Sequence, residues 1–200
     1  MEKHIQFLNM YTVGTKSNDI NTNNLEFYWY GVWITVLAYW FQSRFLVVPQ
    51  YVISYELVDR DDNKILKSVK PDFVLTKYSY ENDTFNECIR LIVEIKRSSN
   101  KDDNNLKDSF KTISKQLEDQ VSALFSNGKY EYVYGIIAIG ERWKLYKYKF
   151  VRTSTHRKTW SNDSYNNTMK NYREVEEHSL LNISSKNYYN DFSELMKLIN

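Results

Sequence analysis

Lys70-Pro71-Asp72-Phe73-Val74-Leu75-Thr76 and Arg90-Leu91-Ile92-Val93-Glu94-Ile95-Lys96-Arg97 are two apolar runs rich in β-formers, separated by a polar stretch around Tyr80 to Asn86. Runs of this length and composition predict adjacent strands joined by a loop. Side chains alternate faces along a strand, so Ile92, Glu94 and Lys96 share one face and Leu91, Val93 and Ile95 the other. Two opposite charges thus stand inside an otherwise apolar strand. Charge buried in a sheet is costly unless it is paired or bound to a metal.

Two readings account for these charges. In one, Glu94 and Lys96 form an ordinary ion pair on an exposed sheet face. In the other they belong to a divalent-cation site, with carboxylate oxygens from Asp72 and Glu94 and the backbone carbonyl of Ile95 as a further ligand. Mg²⁺ prefers such hard oxygen donors, keeps several waters and often contacts phosphate. Lys96 would then orient or deprotonate an attacking water, or stabilise developing charge. A Glu-X-Lys triplet alone favours the ion pair. The Pro71-Asp72 pair opening the preceding strand turns the balance toward the site.

Pro71-Asp72 followed by Glu94-Ile95-Lys96 in a hydrophobic strand resembles the PD-(D/E)XK nuclease superfamily, and the chain is also similar to domains of fungal and Crinkler-like proteins. The resemblance implies a restriction-endonuclease-like fold, an α/β (α+β mixed-sheet) architecture with an αβββαβ core. It implies cleavage of nucleic acid with Mg²⁺, for which Mn²⁺ can substitute. It also implies an acidic residue near the metal from the first helix, where Glu26 is the candidate. The other role for Glu26 is helix-end electrostatics, since an anion is favoured in a first turn.

The 200 residues are expected to form one domain spanning 1–200, long enough for a substantial core. A hydrophobic content of 42% and an aromatic content of 16% argue against disorder. The single cysteine, Cys88, excludes an internal disulfide and a cysteine-rich zinc site, and three scattered histidines do not suggest a His-based centre. Net charge is only +2, but Arg142, Lys144, Lys147, Lys149, Arg152, Arg157 and Lys158 follow one another without an acid. Tyr146, Tyr148 and Trp160 are interleaved, as on a surface that tracks phosphates and stacks bases. Lysines on an edge strand that guard against aggregation give the same pattern. The N-terminus lacks the pattern of a secretion signal, so a cytoplasmic or nuclear location is expected.

The remaining elements follow in order. Val13-Gly14-Thr15-Lys16-Ser17 lacks the glycine and Gly-Lys pair of a phosphate loop and is set aside. Leu25 to Phe45 reads as a helix capped by Asn23 or Asn24, with Glu26 in its first turn. Phe27 to Ser43 carries no charge, yet its Trp and Tyr content and short length favour a helix buried in protein over a membrane span. Val47 to Asp59 reads as one strand, and Ile65 to Val69 leads into the Asp72 strand, giving a three-strand meander. Leu106, Phe110, Ile113, Leu117, Val121 and Leu124 make the apolar stripe of a helix over 106–125. Gln116 and Gln120 lie beside that stripe one turn apart. Relatives in the superfamily place a helix glutamine at the metal, so either could bind a phosphate or order a water. Asn127-Gly128 ends the helix as a cap should. Tyr130 to Ile139 reads as a strand covered on both faces, and Trp143 to Phe150 as its hairpin partner. Residues 151–172 read as a long loop, Glu174 to Ser184 as a final strand, and Tyr189 to Ile199 as a closing helix.

The expected function is metal-dependent hydrolysis of phosphodiester bonds, with DNA ahead of RNA as substrate. Asp72, Glu94 and Lys96 would be catalytic, and Gln116, Gln120, Lys144 and Lys147 would contact nucleic acid. The alternative is a catalytically silent module on the same fold that binds nucleic acid or protein. No membrane partner is expected, and a homodimer is open.

Overall fold

The computed structural model describes residues 26–58, 63–81, 83–97, 103–127, 129–150, 172–177, 181–182 and 188–199. The uncharged aromatic run folds as helix α1 (Glu26–Phe41). It buries one stripe, Trp29, Trp33, Val36, Leu37, Trp40 and Phe41, at the spacing that puts side chains on one helix face. No described helix is long and apolar enough to cross a membrane. The aromatic run is instead used against a sheet.

That sheet has seven strands. They are β1 (Leu46–Pro49), β4 (Phe73–Glu81), β5 (Thr84–Lys96), β6 (Tyr132–Ile139), β7 (Arg142–Phe150) and β8 (Tyr172–Glu177) in spatial order, with β9 (Leu181–Asn182) paired to β7. All neighbours are antiparallel except β5 and β6, which run parallel. A parallel pair needs a crossover, and helix α2 (Asp103–Ser126) supplies it. A separate two-stranded sheet, β2 (Ile53–Val58) with β3 (Lys64–Val69), packs near α2, and helix α3 (Tyr188–Ile199) closes the described chain. The fold is thus a mixed-sheet α+β architecture, as expected from the sequence.

The alternation read in β5 divides the core. Leu91, Val93 and Ile95 join α1, α3 and an aromatic group of Trp33, Trp40, Trp143 and Phe192 on one side of the sheet. Val74, Ile92, Val133 and Ile137 join the α2 stripe on the other. All six expected stripe residues of α2 are buried. β6 is buried along nearly its whole length, as a strand covered on both faces must be.

Four expectations are corrected. Val47 to Asp59 is two strands in two sheets, broken where Gln50 takes a left-handed backbone, φ 52°. The three-strand meander is therefore absent: β1 pairs directly with β4, and the intervening β2–β3 hairpin stands off the main sheet. The Tyr80–Asn86 loop is a tight turn, since β4 runs to Glu81 and β5 starts at Thr84. The Glu174–Ser184 strand is β8 and β9 in two pieces. The Gly128 cap, residues 1–20 and the 151–171 part of the long loop lie outside the described residues.

Candidate functional site

The register of the sheet brings the motif together. Pro49 lies opposite Phe73 and Phe73 opposite Val93. Continuing each pairing by one residue sets Gln50, Asp72 and Glu94 in a row across β1, β4 and β5. The main-chain N–H of Gln50 donates to the Asp72 carbonyl at 2.8 Å, which extends the β1–β4 pairing to that row. Asp72 is 6% exposed and Glu94 1% exposed, so both carboxylates are buried where the sheet ends.

Each oxygen of the two carboxylates accepts a hydrogen bond. Asp72 Oδ2 accepts from the Ile95 N–H at 2.7 Å. Asp72 Oδ1 accepts from the Tyr30 hydroxyl at 2.7 Å and from Gln50 Nε2 at 3.3 Å. Glu94 Oε1 accepts from Lys96 Nζ at 2.7 Å and from Gln116 Nε2, and Oε2 from Gln120 Nε2 at 2.8 Å. The Tyr30 hydroxyl also lies 2.9 Å from Glu26 Oε1, and Lys96 Nζ lies 3.8 Å from the same atom. Asp72, Glu94, Lys96, Glu26, Gln116 and Gln120 therefore form one connected network.

Helix α1 is pinned so that Glu26 and Tyr30, one turn apart, reach this network. Trp33, one turn further on, donates its indole N–H to the Gly140 carbonyl at 3.0 Å. Gly140 stands at the β6–β7 turn with φ 60°, a conformation that glycine adopts without a side-chain clash, and its N–H donates to the Lys96 carbonyl at 3.0 Å. The helix, the turn and the lysine strand are thus tied at one point.

The electrostatics follow from burial. Burial raises the Glu94 carboxyl above its ordinary value, and the nearby Asp72 charge raises it further, while Lys96 and Gln120 pull it down. Burial alone would lower Lys96, but its hydrogen bond and charge contact with Glu94, with Asp72 and Glu26 behind, leave the ammonium above its usual value. Burial and the two carboxylates push the Tyr30 phenol well above its ordinary value, so it remains a donor.

The site gathers oxygen donors of the kind that hard divalent cations take. Three carboxylates (Asp72, Glu94 and Glu26) face one ammonium, an excess of negative charge that a buried site tolerates poorly. Gln120, only 2% exposed, turns its Nε2 to Glu94 and leaves its Oε1 buried without a partner. An unpaired buried acceptor beside a carboxylate is where a water is expected. Among the described residues, no three His, Cys, Asp or Glu side chains are grouped so as to hold a metal ion. Any cation here would rest on two carboxylates and main-chain oxygen.

The basic segment is not one surface. Lys144 lies over the Phe110 ring on the α2 side of the sheet, 5.4 Å from its centroid. Lys147 lies over Tyr132 and Tyr134, at 5.8 and 5.6 Å, among residues of the other side. Strand alternation separates lysines that are close in sequence. Arg152, Arg157, Lys158 and Trp160 lie outside the described residues.

Two contributors escape a reading of the sequence. Tyr30 is hidden because the run around it is apolar on every side, although its place one turn after Glu26 is a readable signal. Gln50 is hidden inside a stretch that looks like one strand. Pro49 was the available clue, because proline within a strand marks an edge or an end. Comparison with protein-family models, with curated proteins and with solved structures finds no match to this chain.

Proposed function

We propose that this chain is a metal-dependent nuclease of the PD-(D/E)XK kind that its motif resembles, hydrolysing phosphodiester bonds in nucleic acid, with DNA as the first substrate to try. The observation that carries the proposal is the buried pair Asp72 and Glu94, set in one cross-strand row with Lys96 two residues on. An exposed ion pair, the competing reading of Glu94 and Lys96, does not bury a glutamate to 1% exposure beside a second carboxylate.

Asp72, Glu94 and the Ile95 carbonyl would hold Mg²⁺ or Mn²⁺, which when bound supplies a Lewis acid and an acidified water. The rest of the work falls to side chains. Lys96 stays cationic beside Glu94, which suits it to hold a water in place or stabilise negative charge on phosphorus rather than to take up a proton. Gln116 and Gln120 fix the Glu94 carboxylate from α2. Gln50, Tyr30 and the Ile95 N–H fix that of Asp72.

The second reading, a silent binding module on this architecture, is favoured by one observation: every oxygen of Asp72 and Glu94 already accepts a protein hydrogen bond. Calorimetric titration of Mg²⁺ and Mn²⁺ into the protein and its Asp72→Ala variant separates the two, followed by incubation of both with plasmid and RNA. Binding and cleavage that vanish together in the variant support the nuclease. A folded parent that binds no metal and cuts nothing leaves the binding module.

A further inference from the structure

The Tyr30 hydroxyl lies 2.9 Å from Glu26 Oε1 and 2.7 Å from Asp72 Oδ1. A phenol has one proton and donates one hydrogen bond at a time. Two acidic oxygens therefore converge on a single donor, the geometry in which a cation is the natural competitor for the hydroxyl's place. The ring is held there by an edge contact with Phe73, the neighbour of Asp72, with centroids 5.8 Å apart. A separate sign of a ligand lies at the other end of the site, in the buried and unpartnered Oε1 of Gln120. The hydroxyl is also interposed between Glu26 and the Asp72–Glu94 pair, and no three acidic side chains group as metal ligands among the described residues.

From this geometry we infer that Tyr30 restricts the site to one divalent cation, its hydroxyl filling the position between Glu26 and Asp72 that a second would take. The inference rests on the metal site proposed above and concerns hard, oxygen-seeking cations such as Mn²⁺ and Mg²⁺. Tyr30→Phe removes one oxygen atom and keeps the ring against Phe73. The vacated position is bordered by two carboxylate oxygens, one of them from Glu26, which is about one-third exposed and has Lys96 Nζ 3.8 Å away. Tyr30 is in this sense a positioning residue that decides stoichiometry.

The test is calorimetric titration of Mn²⁺ into the full chain, Tyr30→Phe, and Tyr30→Phe with Glu26→Gln, with electron paramagnetic resonance of the loaded samples. One ion is expected in the parent and two in Tyr30→Phe, the pair showing a spin-coupled spectrum that a loss of packing does not produce. The added Glu26→Gln is expected to return the count to one. Two ions in the parent, or one in a folded Tyr30→Phe, overturns the inference and leaves the metal site standing. No ion in the parent overturns both. If Tyr30→Phe does not fold, Tyr30→Leu takes its place, which also removes the hydroxyl between Glu26 and Asp72: two ions are expected, and one ion in the folded variant overturns the inference.

Discussion

The main-chain N–H of Ile95 donates to Asp72 Oδ2 at 2.7 Å, a bond that spans 23 positions of sequence and joins β4's entrance to β5's end. It fixes the carboxylate at the point where the Ile95 carbonyl is proposed to join it. Asp72→Ala leaves this buried donor without an acceptor, at a cost of about 1–3 kcal/mol, while the Tyr30 hydroxyl keeps Glu26 Oε1. Asp72→Asn keeps an acceptor for Ile95, and its amide can donate to the Tyr30 oxygen while Tyr30 donates to Glu26. The asparagine variant is thus expected within about 1 kcal/mol of the parent in urea unfolding. Both variants should lose metal binding in calorimetry. An asparagine variant less stable than the alanine variant would contradict this account of the bond.

Glu94 makes the metal-free protein sensitive to pH. Its folded carboxyl is raised above the ordinary value of 4.5, mainly by burial and then by Asp72. The folded state therefore holds its proton more tightly than the unfolded state. Between 4.5 and the raised value the native chain binds more protons, so stability falls as pH rises through that window. Glu94→Gln is expected to remove this slope from chemical denaturation in EDTA above pH 4.5. Lys96→Met, which takes away a group that lowers Glu94, should extend the slope to higher pH. Equal slopes in the parent and Glu94→Gln would mean that Glu94 does not titrate abnormally.

Much of this was legible because it depends on alternation. The faces of β5 and the stripe of α2 are periodic patterns, and burial then follows from the covering elements. The pairing of β1 with β4 was not legible. It depends on a single residue, Gln50, turning into a left-handed conformation that asparagine, aspartate and glycine adopt more readily. The network round Tyr30 was equally hidden, since a tyrosine within an all-round apolar run shows no periodic signal. Lys144 and Lys147 divide for the opposite reason: they are close in sequence, and the strand period sends them to the two sides of the sheet.

Glu87 provides a control carboxylate away from the motif. Its Oε2 accepts from Tyr51 at 2.5 Å, and its Oε1 accepts from Tyr78 at 2.6 Å and from the buried Thr76 hydroxyl at 3.3 Å. This cluster joins the approach to β2 with β4 and β5. Glu87→Ala removes the acceptor that three hydroxyls share, of which that of Thr76 is buried, and is expected to cost about 1–3 kcal/mol. Its hydrogen bond is the main cause of the raised Tyr78 phenol, which should return toward 10.0 in an absorbance titration. Metal binding should be unchanged. A tenfold weaker ion in a folded Glu87→Ala would show that the cluster reaches the site.

Gly135 tests how α2 is seated, and through it how the two glutamines reach Glu94. Gly135 lies in β6 directly beneath the helix, opposite Ile92 of β5. A Cβ there would stand 2.7 Å from Leu117 Cδ2, 3.1 Å from Cδ1 and 3.2 Å from Cγ. Leu117 is fully buried, and it lies on α2 between Gln116 and Gln120. Either the Leu117 side chain turns or helix and strand separate, and overpacking of this kind costs about 1–3 kcal/mol. Leu117→Ala alone leaves a cavity at a cost of about 2–5 kcal/mol. Gly135→Ala with Leu117→Ala should cost clearly less than the two separately, because the added methyl enters the vacated space. Where the helix is what gives way, Gly135→Ala also loosens the hold of Gln116 and Gln120 on Glu94. Its pH slope would then extend upward as in Lys96→Met, and the Leu117 substitution would reverse that extension. Additive losses with an unchanged pH slope would mean that α2 absorbs the methyl locally and that the glutamines are placed independently of this contact.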